Sequence, residues 1–389
     1  MSNKRTIIGA IIGDIAGSTR EGYKASKFTT KLKFFPSDSR ITDDSVLTIA
    51  IADWLCHRNA MSAKDALLKW GNLFPHAGYG HGFASFQKTG ESYVSTHNGG
   101  AMRVSPVGFF ARSEEECLAL ATESAAPTHN TKEGTDGACA IALAVFLART
   151  GYTKAEIRME MEDRFGYDFS RRVKEHSDMS RAIRDGEAPR PVSIAETAMT
   201  VPQALTAFFE SEDYESAVKL ALSIGGDTDT IACMAGAVAA AFYGVPEELV
   251  SKALLYLPSE MIEVINEFEG GSYEPTGIAP PYARRWGREE HQVYACNADE
   301  SVHSKAYKET IADKYNHHPL KPYPLHVLDA DADTIRREVD ALISFAKANP
   351  DKRFHVSDMG DSLAKAFAPA LDVPNILHPA SYVRILKKS

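Results

Sequence analysis

Ser223-Ile224-Gly225-Gly226-Asp227-Thr228-Asp229-Thr230 sets a two-glycine turn directly before two carboxylates and two threonine hydroxyls. Glycine admits backbone angles that a Cβ resists, so a sharp turn is expected at Gly225-Gly226. The residues that follow are small and apolar, among them Ala232, Ala235, Gly236, Ala237, Ala239, Ala240 and Ala241. Such a run suits a helix packed closely among other helices. The acids therefore stand at a helix entrance. A lone Asp227 or Thr228 there would be an ordinary N-cap. One cap needs only one residue, and the second aspartate with a further threonine points to a divalent cation such as Mg²⁺, which prefers carboxylate, hydroxyl and water oxygens.

The same chemistry occurs earlier. Thr42-Asp43-Asp44-Ser45 leads into the helical apolar pattern Val46-Leu47-Thr48-Ile49-Ala50-Ile51, and a cap again accounts for only one of the polar residues. Four aspartates brought together would repel one another unless cations lay between them. Before them, Gly9, Gly13 and Gly17 recur every four residues in the segment Thr6 to Gly17, which on a helix makes a smooth stripe for close approach of another helix. Glu21 lies just past that stripe. Neither GxGxxG nor GKS/T is present, so the segment is a weak nucleotide loop.

Between the acid clusters lie two glycine-rich stretches, Gly78-Tyr79-Gly80-His81-Gly82-Phe83 and Asn98-Gly99-Gly100-Ala101-Met102-Arg103. Amides exposed by such glycines can approach a phosphate, and Arg103 would add a fixed positive charge. Ser113 to Ser124 reads as a helix that Ala126-Pro127-Thr128-His129-Asn130 breaks. Gly134 to Thr150 is a small-residue helix, and Glu156 to Arg190 reads as peripheral helices and loops.

Composition places the chain among soluble globular proteins: 44% hydrophobic and 24% charged, with a mean hydropathy of −0.25. A net charge of −9 gives no general attraction to nucleic acid or to an anionic membrane. The longest apolar run, Ala138 to Ala148, is too short to span a bilayer, so a cytoplasmic location is expected. Five cysteines without a CxxC pair read as free thiols. After Gly270-Gly271 the composition shifts. Residues 271–315 read as a linker and 316–389 as a small α/β or α+β module, with strands at Leu325-Leu328, Phe354-Val356 and Asn375-Leu377 and helices at Ala332-Ala348 and Asp361-Phe367.

Residues 5 to 270 resemble the ADP-ribosylglycohydrolase family, which includes the dinitrogenase-reductase-activating glycohydrolases. The likeness rests on five pieces in order: Gly9-Ala10-Ile11-Ile12-Gly13-Asp14 with Glu21, Thr42-Asp43-Asp44, Asn98 to Arg103, Thr128-His129, and Gly225 to Thr230. It implies a mainly all-α orthogonal helical bundle over 1–270 with a cleft holding two Mg²⁺ ions, for which Mn²⁺ could substitute. The implied metal ligands are Thr42, Asp43, Asp44, Asp227, Asp229 and Thr230. Glu21 would sit near the metals and the ribose. Asn98, Gly99, Gly100, Met102 and Arg103 would border the ADP-ribose with Gly225 and Gly226, and His129 would meet the distal part of the substrate. Ser45 stands where threonine is frequent. The implied reaction is hydrolysis of the ribosyl bond of an ADP-ribosylated protein or small molecule. Glu21, Asp43, Asp44 and Asp229 are the catalytic candidates, and nucleic acid enters only as a modified substrate. Two rivals share these residues. One is a catalytically inactive ADP-ribose binder of the same fold, which loss of a metal carboxylate would signal. The other is a magnesium-dependent phosphohydrolase, which the glycine loops disfavour.

Overall fold

The run of small residues after the second acid pair forms the helix Thr228–Tyr243, and it is buried on every side from Thr228 to Ala241. A helix apolar all round can only be the centre of a bundle. In the computed structural model its neighbours are Ile8–Gly17, Lys132–Thr150, Thr197–Glu210 and Tyr214–Ile224. Residues 6–22, 32–36, 38–271, 273, 290–296, 321–327, 330–349, 353–356, 361–378, 382 and 385 are described.

In chain order the helices are α1 (Ile8–Gly17), α2 (Asp43–Cys56), α3 (Ala63–Leu73), α4 (His81–Thr89), α5 (Gly99–Met102), α6 (Ser105–Phe110), α7 (Glu114–His129) and α8 (Lys132–Thr150). They continue with α9 (Lys154–Phe165), α10 (Val173–Arg184), α11 (Thr197–Glu210), α12 (Tyr214–Ile224), α13 (Thr228–Tyr243), α14 (Glu247–Leu254) and α15 (Ser259–Glu269). The glycine stripe of α1 meets α13. A Cβ on Gly13 would lie 2.0 Å from the Ala232 carbonyl oxygen, and one on Gly17 would lie 2.3 Å from Asp229 Cα. Only glycine allows these backbones to touch.

Two local expectations differ. Helix α7 runs through Pro127 to His129 and so carries Thr128 and His129 on its last turn. The carbonyl that a Pro127 N–H would have bonded belongs to Glu123, an exposed residue whose carbonyl water can serve. The second half of the Gly78–Phe83 loop is the first turn of α4.

The chain divides into two compact units, one of Met1–Leu254 with Met261–Tyr273, the other of Leu255–Glu260 with Glu274–Ser389. In the second unit β1 (Glu290–Cys296), β2 (Lys321–His326), β3 (Arg353–Val356) and β4 (Ile376–Leu377) form an all-parallel sheet of order β2-β1-β3-β4. Parallel pairing needs crossovers, and α16 (Ala332–Ala348) supplies the one between β2 and β3, so the module is α/β. Strand β1 falls within the stretch read as linker, and the rest of that stretch beyond Tyr273 lies outside the described residues. Strand β2 starts before the expected Leu325 and contains Pro322 and Pro324, which an edge strand tolerates. Beneath the sheet Leu325, Leu342, Phe354, Phe367, Ile376 and Tyr382 form a separate apolar core. Cys56, Cys117, Cys139 and Cys233 are free thiols, and the side chain of Cys296 is outside the described residues.

Candidate functional site

Three chain segments bring their acids to one place. Asp14 comes from the buried face of α1, Thr42 to Asp44 from the start of α2, and Asp227 to Thr230 from the start of α13. Glu21 is held beside them by a reciprocal pair of backbone bonds, Gly22 N to Gly226 O and Gly226 N to Gly22 O, each 2.8 Å. Both glycines have φ above +80°, a conformation other residues resist.

Asp14 was not among the candidates read from the sequence. Its Oδ2 accepts from Thr42 N at 2.9 Å and Ser45 N at 3.1 Å, and its Oδ1 accepts from the Thr42 hydroxyl at 2.7 Å. The Ser45 hydroxyl also donates to it, a role a threonine would fill equally. Asp14 thus caps α2 from another helix. The signal was present: an aspartate inside an apolar, glycine-striped helix is costly unless something binds it. Thr42 is also a true N-cap, accepting from Asp44 N. At α13 the cap reading fails, because the Asp227 side chain makes no capping bond and instead accepts from Asn98 Nδ2 at 2.8 Å.

Crowding of these carboxylates leaves an electrostatic mark. Burial pushes Asp14 up to about 6, against the bonds from Ser45 and Thr42. Burial, then the charges of Asp14, Asp227 and Glu21, push Asp43 up to about 8. Asp44 and Asp229 are held well above the usual carboxylate range, first by burial and then by neighbouring aspartates. Two triads have carboxylate oxygens within 4.8 Å of one another, Asp14–Asp44–Asp229 and Glu21–Asp227–Asp229, and Asp229 belongs to both. Asp44 Oδ2 accepts from the Thr230 hydroxyl at 3.3 Å and lies 3.3 Å from Thr42 Oγ1, whose proton goes to Asp14, while Asp44 Oδ1 is buried with no hydrogen-bond partner among the described residues. A buried carboxylate oxygen that no N–H or O–H reaches, beside other hard oxygens, fits a divalent cation.

The acids open onto a cleft of about 520 Å³. Glu21, Asp43, Asp44, Asn98, Gly99, Met102, Arg103, His129, Asp227, Asp229 and Thr230 line it, and so do Tyr93 and Phe83, which were not foreseen. Thr42 is turned toward Asp14 and Gly100 is buried under His129. Gly225 and Gly226 border a different cavity of about 700 Å³ that contains none of the clustered acids. The glycines at 99 and 100 make room for a side chain: a Cβ on Gly99 would lie 2.9 Å from His129 Cε1. Arg103 is fully buried, with Nη2 donating to Ser124 O at 2.9 Å and Thr128 Oγ1 at 2.8 Å.

A model of the family described as ADP-ribosylglycohydrolase matches residues 4–272, which span every helix and acid of this site. The chain belongs to the ADP-ribosylglycohydrolase family. It is 27% identical over 310 residues to ADP-ribosylhydrolase ARH3 of Homo sapiens, covering 62% of this chain and 85% of that protein. The ARH3 of Danio rerio is 26% identical over 302 residues, covering 61% and 82%. A solved structure titled "ADP-ribosylglycohydrolase-related protein complex" aligns with a TM-score of 0.49 and 24% identity, covering 69% of this chain and 96% of that one. Family membership supports ADP-ribosyl hydrolysis as the chain's general chemistry, and its buried acid clusters could bind a metal. Among the described residues no helix is long and apolar enough to cross a membrane.

Proposed function

We propose that this cleft hydrolyses the ribosyl glycosidic bond of an ADP-ribosylated acceptor and releases ADP-ribose, with Mg²⁺ as cofactor. The observation that carries the reading is the sharing of Asp229 between two carboxylate triads at the base of the cleft. Thr42, Asp43, Asp44, Asp227, Asp229 and Thr230, joined by Asp14 and Glu21, would hold two ions, which when bound supply Lewis acidity and a water of lowered pKa.

The protein's own groups divide the remaining work. Glu21 is exposed in the cleft while Asp43 is half-buried and Asp14, Asp44, Asp227 and Asp229 are buried, so Glu21, at the edge of its triad, is the carboxylate most accessible to take a proton from water adding to the ribose C1″. Asn98 fixes Asp227 through its 2.8 Å bond and thereby holds one triad in place. As the bond breaks the ribose gains oxocarbenium character, which the surrounding carboxylates favour electrostatically. Tyr93, Phe83 and the Gly99 backbone offer an apolar and amide-lined wall for the rest of the substrate.

The test is release of ADP-ribose from ADP-ribosylated arginine, serine and nucleic-acid substrates, with and without Mg²⁺. Turnover of at least one substrate that stops on chelation is expected. Turnover that survives exhaustive chelation would remove the metal from the reading, and tight ADP-ribose binding without any turnover would make the protein a binder.

A further inference from the structure

The hydrogen-bond partners of Thr128 specify more than packing. Thr128 and Arg103 are completely buried, and His129 is 4% exposed at the cleft wall. Arg103 Nη2 lies 2.8 Å from Thr128 Oγ1, and a guanidinium can only donate, so one lone pair of that hydroxyl is taken. His129 Nδ1 lies 2.7 Å from the same oxygen. The hydroxyl proton of Thr128 has no other acceptor in hydrogen-bond contact among the described residues. A buried hydroxyl proton is placed on an acceptor where one is available.

We infer that Arg103 and Thr128 act as positioning residues that fix His129 as the neutral imidazole with its proton on Nε2, an N–H donor presented to an acceptor oxygen of the ligand in the cleft. Arg103 donates to Thr128, Thr128 donates to Nδ1, and Nδ1 is thereby an acceptor, which leaves the proton on Nε2. That nitrogen has no partner among the described residues, and it faces Gly99, where a Cβ would come within 3.0 Å of it. Burial and the nearby charges of Arg103 and His97 hold His129 well below its ordinary value, so the ring is neutral. The choice of oxygen, a diphosphate or ribose oxygen, rests on the proposed ADP-ribose substrate. The tautomer does not.

Proton-detected NMR of protein labelled with ¹⁵N-histidine reads the tautomer directly, with the His129 signal identified by its loss in His129→Gln. At neutral pH the wild type is expected to show Nε2 protonated and Nδ1 bare. Thr128→Ser should keep that pattern, and Thr128→Val should shift population to the other tautomer. Loss of one neutral hydrogen bond predicts an ADP-ribose Kd raised about three- to tenfold in Thr128→Val, and little changed in Thr128→Ser. A wild-type His129 carrying its proton on Nδ1 overturns the inference, even if Thr128→Val does not fold. So does a folded Thr128→Val with unchanged tautomer or unchanged Kd. If the wild type bound no ADP-ribose, the substrate reading would fail while the NMR pattern still decided the tautomer.

Discussion

Asp229 is the residue on which both triads depend, and its replacement by asparagine separates charge from shape. The amide oxygen can still accept from Thr230 N, as Oδ1 does at 3.0 Å. What is lost is a carboxyl whose ionisation is opposed by its burial beside Asp14, Asp44 and Asp227. Without Mg²⁺, Asp229→Asn should therefore be more stable than the wild type, by about 1–3 kcal/mol. With Mg²⁺ at a thousand times Kd the order should reverse, because the wild type gains RT ln(1 + [L]/Kd), about 4.1 kcal/mol, and the variant gains little. Thermal melts of both proteins with EDTA and with Mg²⁺ check this, and an equal Mg²⁺ shift in the two would remove Asp229 from the metal site. Turnover should be lost in the variant. At this scale the sequence was legible where several polar residues stood at one helix start, since a cap accounts for only one of them. It marked Asp14 as a costly residue but was silent on its partners Thr42 and Ser45, which are about thirty residues away along the chain. It was equally silent on the burial of Arg103, because an arginine after glycines looks the same whether it faces solvent or a helix carbonyl.

Helices carry the site, and the α1–α13 contact sets how near the two acid-bearing ends lie. Gly13→Ala puts a methyl carbon 2.0 Å from the Ala232 carbonyl oxygen and 2.4 Å from its carbon, both backbone atoms that cannot turn away. A loss of about 3 kcal/mol or more in urea unfolding is expected, together with loss of turnover as Asp229 is pushed from Asp14. Gly80→Ala, where nothing lies within 4 Å and φ is −64°, should change stability by less than about 1 kcal/mol. Helix α10 gives an independent check by pH. His176 is pushed down to about 4 by burial, with Arg171 adding to the effect. Its folded value lies below its unfolded one, so the unfolded chain binds more protons between about pH 4 and 6.5 and the native state loses stability as pH falls through that window. His176→Asn should therefore flatten the pH dependence of the melting temperature between pH 7 and 5 relative to wild type. Identical slopes would show that His176 is not desolvated. The four-residue glycine period announced the helix contact correctly, because period and small side chains are local. Helix α7 was read too short, because the effect of Pro127 depends on whether the freed carbonyl meets water, which is a tertiary fact.

The composition changes after Gly271, one compact unit ends at Tyr273, and α16, β2, β3 and β4 were legible near their expected places. The central strand β1 was not: Glu290–Cys296 is polar and mixed, and it is a strand only because β2 and β3 pair with it on either side. The family match ends at 272, yet the end of the helical unit is tied to its beginning. Glu269 Oε1 accepts from the Thr6 hydroxyl at 2.6 Å and from Ile7 N at 2.8 Å, just before α1 and Asp14. Asn266 and Tyr273 exchange two bonds that close the chain behind α15. We propose that turnover belongs to the helical unit alone and that the α/β unit serves a modified partner or assembly. A chain ending at Tyr273 keeps all four of these bonds and should fold and hydrolyse a small ADP-ribosyl substrate at close to the full rate, while acting less well on a macromolecular one. A chain ending at Phe268 leaves Ile7 N and the buried Thr6 hydroxyl without Glu269, at about 1–3 kcal/mol for each unsatisfied group. Its melting temperature should fall, and its turnover should fall with it because α1 carries Asp14. Comparing the two truncations by circular dichroism and small-substrate turnover distinguishes the alternatives. A well-folded chain ending at Tyr273 with no turnover would mean that the α/β unit completes the active site, and the division of labour proposed here would have to be given up.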